Sequence, residues 1–265
     1  MEAWLDQYCI NVTDLDATVK FYETLGLTNT SRTEIPQAYE AIMEDSGLKG
    51  GKIQLAQHKE HAGPIQHGNA FWKAYVNTND IERQHKAAIE AGYESTMAPW
   101  RSDRWPSTIA FLKDPDGYVV ELHQRHPWLD GDDTTFAWVG QYCIYVSDLT
   151  RTVKFYEALG LTCTSQTDFA DLKEAILEDG NGRGGKIQLA QKLNDDSPID
   201  MGTAMWKLYI RTDDCDALHR TAVEAGYREA AAPMFLEQWN TTISSVLDPD
   251  GCHVEIVTLA RDRTN

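Results

Sequence analysis

Residues 7–27, QYCINVTDLDATVKFYETLGL, return at residues 141–161 as QYCIYVSDLTRTVKFYEALGL, an offset of 134 residues. Gly50–Gln57 (GGKIQLAQ) recurs as Gly184–Gln191 at the same offset, Trp72–Lys73 as Trp206–Lys207, and Asp114–Pro115–Asp116–Gly117 as Asp248–Pro249–Asp250–Gly251. One unchanged offset over nearly the whole of each half identifies a tandem duplication. The two domains are residues 1–128 and 137–265. The segment between them, 129–136, is rich in Asp and Gly, has no hydrophobic period and reads as a linker.

Each half contains a shorter repeat. A strand over Gln7–Val12 meets an N-cap candidate at Thr13 or Asp14; Leu15, Val19, Tyr22 and Leu25 then fall on one helical face, and Gly26 supplies the stop. A hairpin with its turn around Ser46–Gly51 leads to a strand over Lys52–Ala56. A second strand, Trp72–Asn77, enters a helix from Asp80 that ends at Gly92. The last hairpin runs from Thr108–Leu112 through Asp114–Gly117 to Tyr118–His123, with Pro and Gly at the positions a type I turn favours. Each half therefore reads βαβββ twice. The expected fold is α+β, with four such modules, helices outside curved mixed sheets, and the sheets shaped into cups.

Composition narrows the function classes. The chain has 265 residues, with 24 Lys+Arg against 41 Asp+Glu and a formal net charge of −17. A body this acidic repels phosphate backbones and anionic lipid, so neither nucleic acid nor a membrane surface is an expected partner. Hydrophobic residues make up 42%, enough for a real core. The start, Met1–Asp6, has no basic segment followed by an apolar run, and no stretch approaches a membrane span. Five cysteines without a CxxC pair fit reduced thiols, so the expected setting is cytoplasmic and the expected partner a small molecule bound by a monomer or homodimer.

Strand alternation sorts the side chains. Tyr8, Ile10 and Val12 pack under the helices, which turns Gln7, Cys9 and Asn11 to the other face. The same count leaves Gln54, then Lys73 and Tyr75, then Glu121 and His123 on that face. The second half gives Gln141, Cys143 and Tyr145, then Gln188, Lys207, Tyr209 and Arg211, then Glu255 and Val257. Half-polar faces on all these strands predict a wet concave surface in which a small ligand can sit.

The segments VTDLDATVKFYETLGL and KDPDGYVVEL, with their second copies VSDLTRTVKFYEALGL and LDPDGCHVEI, resemble the vicinal oxygen chelate superfamily, which groups glyoxalase I, bleomycin-resistance proteins and extradiol dioxygenases. The resemblance spans both halves. It implies paired βαβββ modules forming a cup, with a divalent cation in the metal-dependent members. The positions that match the ligands are Gln7, Gln54, Lys73 and Glu121 in the first half and Gln141, Gln188, Lys207 and Glu255 in the second. The family pattern has His where the lysines stand, and in glyoxalases a carboxylate where Gln54 and Gln188 stand.

An ammonium has no lone pair to give and repels a dication. Lys73 beside Glu121, and Lys207 beside Glu255, would replace the cation, so the expected cofactor is none. The alternative is a divalent metal at Gln7 with Glu121 or at Gln141 with Glu255. The reading that follows is a lyase or isomerase acting on a carbonyl-containing metabolite. In it the lysines act as cation or base and the glutamates as proton carriers. A sequestering protein of bleomycin-resistance type is the alternative, and a metal-dependent glyoxalase or extradiol dioxygenase a lesser one. Tyr75, Tyr209, Trp105 and Trp239 are candidate walls. Arg101, Arg104 and His123 stand opposite Phe235, Gln238 and Val257, so the cups should differ and the first should suit an anion better. His58, His61 and His67 read as solvated loop histidines. Whether modules pair within a half or across halves stays open, because either supplies the same residue types.

Overall fold

The computed structural model describes residues 2–45, 50–61, 63–126 and 136–259. The turn expected at Ser46–Gly51 falls largely outside these residues, as does all of the 129–136 linker except its last residue. The first module is β1 (Ala3–Asn11), α1 (Leu15–Thr24), β2 (Thr28–Glu34), β3 (Ala38–Glu44) and β4 (Lys52–His58). The second is β5 (Phe71–Thr78), α2 (Ile81–Glu90), β6 (Ser95–Arg101), β7 (Ser107–Lys113) and β8 (Val119–Arg125). The third is β9 (Ala137–Tyr145), α3 (Leu149–Ala158), β10 (Thr162–Asp168), β11 (Leu172–Glu178) and β12 (Lys186–Lys192). The fourth is β13 (Met205–Thr212), α4 (Cys215–Glu224), β14 (Arg228–Leu236), β15 (Thr241–Leu247) and β16 (His253–Leu259). The α+β class and the fourfold βαβββ order are as the sequence predicts. β1 begins earlier than expected: Ala3 and Leu5 are buried and pair with Thr212 and Ile210, and the register shift between Leu5 and Gln7 changes the phase before Tyr8 and Ile10.

Local chemistry sets the helix ends. Asp14 caps α1 by accepting from the Ala17 N–H at 2.9 Å, and Asp148 caps α3 by accepting from the Arg151 N–H at 2.9 Å. Gly26 closes α1 at φ +91°, a conformation that costs a side chain dearly. On the inner side Leu15, Val19, Phe21 and Tyr22 of α1 are buried against the sheet.

The module pairing left open by the sequence runs across the halves. One eight-stranded sheet has the order β14-β15-β16-β13-β1-β4-β3-β2, the other β10-β11-β12-β9-β5-β8-β7-β6. The seams are antiparallel: Tyr8 faces Leu208 and Cys9 faces Lys207 on one, while Ala74 faces Tyr142 and Lys73 faces Cys143 on the other. Flanking each seam is a parallel pair, such as β1 with β4 and β13 with β16, so the sheets are mixed. Within a half the modules touch through side chains and turns: Phe21 meets Tyr93 and Phe155 meets Tyr227, each at 4.9 Å between ring centroids, Asp116 of the Asp-Pro-Asp-Gly turn accepts from the Thr13 N–H at 2.9 Å, and Asp250 from the Ser147 N–H at 2.9 Å.

The two sheets meet along Tyr8 and Tyr142, stacked 4.7 Å apart, with Phe71 against Tyr8 and Tyr118 edge-on to Phe71. The Tyr118 hydroxyl is shared between the Asn11 and Ala204 carbonyls at 2.7 and 2.9 Å. Gly51 and Gly185, expected to be simple hairpin glycines, have a further role. A Cβ on Gly51 would run into the Tyr142 hydroxyl and lie 3.1 Å from the Gly185 Cα. Both are bare because the sheets touch there.

Candidate active site

The concave face of each sheet gathers one set of the residues singled out above. In the β5/β8/β9/β12 cup, Lys73 Nζ lies 2.7 Å from Glu121 Oε2, with side chains 9% and 4% exposed. Gln141 Nε2 donates to Gln188 Oε1 at 2.8 Å, and Cys143 Sγ donates to the same oxygen at 3.1 Å. In the β1/β4/β13/β16 cup, Lys207 Nζ lies 2.8 Å from Glu255 Oε2, both 16% exposed, and Gln7 Nε2 donates to Gln54 Oε1 at 2.7 Å. The pairings Lys73–Glu121 and Lys207–Glu255 match the expectation. The amides do not stay with their own half: Gln7 and Gln54 join Lys207 and Glu255, while Gln141 and Gln188 join Lys73 and Glu121. A metal at Gln7 with Glu121, or at Gln141 with Glu255, would therefore need ligands from different sheets, because β1 pairs with β13 and β9 with β5.

The wet surface expected at the cup floor is found only in part: Gln7, Gln141, Lys207 and Glu255 are half-buried. Gln54, Lys73, Glu121 and Gln188 are buried, and aromatic neighbours close over Lys73. Lys73 Nζ sits 4.1 Å from the Trp72 ring centroid, 4.9 Å from Tyr75 and 5.4 Å from Phe111. Lys207 sits 4.6 Å from Trp206 and 4.7 Å from Tyr209. A desolvated cation over ring faces gains from their quadrupoles.

Each floor also holds a carboxylate that sequence reasoning missed. Glu40 on β3 and Glu174 on β11 stand on the cup face, their backbones paired with Ala56 and Ala190. The Gln54 amide faces Glu40, and the Gln188 amide faces Glu174. The signal was present: Glu40–Ala41–Ile42 recurs as Glu174–Ala175–Ile176 at the same offset. Burial pushes Glu40 and Glu174 above the ordinary carboxylate range, with Lys207 and Lys73 respectively pulling them back. Burial likewise raises Glu121, opposed by Lys73 and by the Tyr75 hydroxyl. Tyr75 and Tyr209 are themselves pushed up by burial.

The remaining candidates divide. His123 joins the Lys73 cup beside Tyr75, at 5.8 Å between ring centroids, with Nδ1 3.1 Å from Asn77 Oδ1; burial drives it down to about 4, so it is neutral at pH 7. Trp105 and Trp239 are about half exposed, which places them at the rims and not in the core. Arg104 reaches Phe169 of the β10–β11 turn at 4.4 Å. Arg101 is not brought into the cup. It pairs with Thr108, whose neighbour Ile109 is the residue opposite His123, so Arg101 faces the other side, near His126. Of the histidines expected in solvated loops, His61 is exposed, His58 instead ends β4 and contacts Asn11 Oδ1 at 3.0 Å, and His67 is half-buried and contacts the Asp116 carbonyl at 2.9 Å.

These donors do not fit a divalent metal. At the four ligand positions of each cup stand two neutral amides, one carboxylate and an ammonium, and one amide oxygen already accepts from the other amide. The ammonium nitrogen lies within hydrogen-bond distance of the carboxylate that a cation would use. Among the described residues no group of three or more His, Cys, Asp or Glu side chains is placed to hold an ion.

Comparison with known proteins agrees with this architecture. A lactoylglutathione lyase from Oryza sativa subsp. japonica is 28% identical over 257 residues, covering 93% of this chain and 86% of the relative. The anthracycline biosynthesis protein DauV of Streptomyces sp. (strain C5) is 26% identical over 278 residues, covering 97% of this chain and 92% of its own. The crystal structure of a point variant of glyoxalase I from Zea mays superposes with a TM-score of 0.85 at 25% identity, over 97% of this chain and 92% of that one. The family described as Glyoxalase/Bleomycin resistance protein/Dioxygenase superfamily matches residues 4–122 and 138–256, and this chain belongs to it.

Proposed function

We propose that the protein is a lyase/isomerase-type enzyme of this superfamily that moves a proton beside a carbonyl group, with a lysine ammonium in place of the metal cation. The observation that carries the reading is the buried Lys73–Glu121 pair at 2.7 Å, repeated as Lys207–Glu255 at 2.8 Å. The ammonium has three donors and Glu121 uses one, which leaves it able to donate to a substrate carbonyl oxygen and to hold the negative charge that develops there. Glu121, raised by burial, takes the proton from the carbon next to that carbonyl and returns it to the neighbouring atom. Atoms are conserved, and no oxidant is needed. Glu174, hydrogen-bonded through the Gln188–Gln141 amide chain, is the second proton holder.

The relatives named as lactoylglutathione lyases make a carbonyl adduct the substrate class to try first. No helix among the described residues is long and apolar enough to cross a membrane, and all five cysteines are free; we place the enzyme in a reducing, cytoplasmic setting. The test is hydrogen exchange followed by NMR in deuterated buffer, with the methylglyoxal–glutathione adduct and a panel of simple ketones and aldehydes. Exchange beside the carbonyl is expected for the wild-type protein. Lys73→Met with Lys207→Met should lower it by about 100-fold or more, the scale of losing an oxyanion partner, while binding persists. Binding with no exchange for any member of the panel would mark a sequestering cup and overturn the reading.

A further inference from the structure

The two cups differ in ways the shared ion pair does not require. Across the mouth of the Lys73 cup, Arg104 comes from the β6–β7 connection and Phe169 from the β10–β11 turn. β6 and β10 are the two outer strands of that sheet, so the contact at 4.4 Å spans the cup. Trp105 flanks the same guanidinium at 5.1 Å. In the Lys207 cup the matching positions hold Gln238 and Ile35, and Ile35 is buried.

The walls differ as well. Phe111 beside Lys73 is matched by Ser245, and Tyr145, stacked on Trp72 at 5.1 Å, is matched by Asn11. Asn11 instead bonds the Thr203 carbonyl at 2.8 Å. The charges separate the cups further: Lys73 and Arg104 face Glu121 and Glu174, whereas Lys207 faces Glu40 and Glu255 and the second cation on its strand, Arg211, is held by Asp6 at 2.8 Å. In a chain of net charge −17, an anion needs a local cation to approach; Arg211 is already engaged by Asp6, whereas Arg104 rests on the rings of Trp105 and Phe169.

We propose that the Lys73 cup is selective for planar aromatic anions, the ring lying against Trp72, Phe111 and Tyr145 and the anionic group meeting Arg104 as it swings from Phe169, and that the Lys207 cup does not share this selectivity. The inference deepens the proposed function by naming a ligand class for that site. It is tested by binding alone, so it can fail or stand apart from turnover.

The probes are benzoylformate, which has ring, ketone and carboxylate, glyoxylate, which lacks the ring, and acetophenone, which lacks the charge. Titration calorimetry on the full chain should give one benzoylformate per chain, with glyoxylate and acetophenone at least about tenfold weaker. Arg104→Met, at an exposed position where folding is not at stake, should weaken benzoylformate by about tenfold or more, the scale of a charge-assisted hydrogen bond. It should leave acetophenone unchanged, and Gln238→Met should change neither. Two equivalent sites, equal affinity for acetophenone and benzoylformate, an unchanged affinity in Arg104→Met, or no benzoylformate binding would each overturn the proposal. A protein that binds benzoylformate as stated, and binds members of the adduct, ketone and aldehyde panel without exchanging a proton beside their carbonyl groups, would keep this inference and overturn the catalytic reading.

Discussion

Lys73→Met is expected to lower the free energy of unfolding by about 3–5 kcal/mol, the cost of leaving a buried charge without its partner. Glu121 is 4% exposed and its counter-ion is 2.7 Å away. Removing the ammonium leaves burial, which already raises Glu121, with only the Tyr75 hydroxyl to oppose it. The pH dependence follows. A carboxyl whose folded value lies above its unfolded value contributes most below the unfolded value, about 4.5, and loses that contribution as pH rises through the folded value. Denaturant titrations should therefore find the variant closest to wild type in acid and furthest from it at neutral pH and above. The double variant Lys73→Met with Glu121→Leu removes both charges and should recover most of the loss. Lys207→Met should cost less, because water reaches both partners of that pair. Equal costs in the two cups, or no recovery in the double variant, would contradict the account of the pair as a buried ion pair.

Residues 1–128 produced alone should not give a folded monomer. We propose the boundaries 1–128 and 137–265 as the limits of the duplicated units, but the sheets do not respect them. Cutting at the linker strips β13 from β1 and β9 from β5, turning two central strands into open edges. It also removes Tyr142 from its stack on Tyr8 and the Ala204 carbonyl from the Tyr118 hydroxyl. Light scattering with size-exclusion chromatography should show the half aggregating, or pairing with a second copy whose β5 module meets its β1 module. Co-production with residues 137–265 should restore the parent assembly. A well-folded monomeric half would contradict the cross-half topology.

Much of this molecule can be read from its residues because local chemistry and fold agree. Asp14 before Leu15 and Gly26 after Leu25 bracket a helix, and the Asp114–Gly117 turn closes a hairpin in which Asp114 Oδ1 accepts from the Asp116 and Tyr118 N–H groups. Alternation put Lys73, Glu121, Gln141 and Gln188 on concave faces, where they are. The module partners could not be read, because the duplication gives Gln7 and Gln141, or Lys73 and Lys207, the same chemistry at the same place. Arg101 is offered by its contrast with Phe235 and not by any strand count; its face is fixed only by β6, where it pairs with Thr108 across a strand whose register shifts between Met97 and Trp100. Glu40 and Glu174 escaped notice because β3 carries Tyr39 and Glu44 as well, so its inner face is plain only once Ala41 and Met43 are seen buried. The dryness around Lys73 and Glu121 is a tertiary property, supplied by Trp72 and Tyr75 of β5 together with Phe111 of β7.

The most direct test of the ammonium in the cation's place is elemental mass spectrometry on tag-free protein purified without added metal or chelator, followed by calorimetric titration with Zn²⁺ and Ni²⁺. The account predicts first-row metal far below one atom per chain and no saturable binding at the cups. One or two equivalents of tightly held metal, lost on Glu121→Gln and Glu255→Gln, would contradict it.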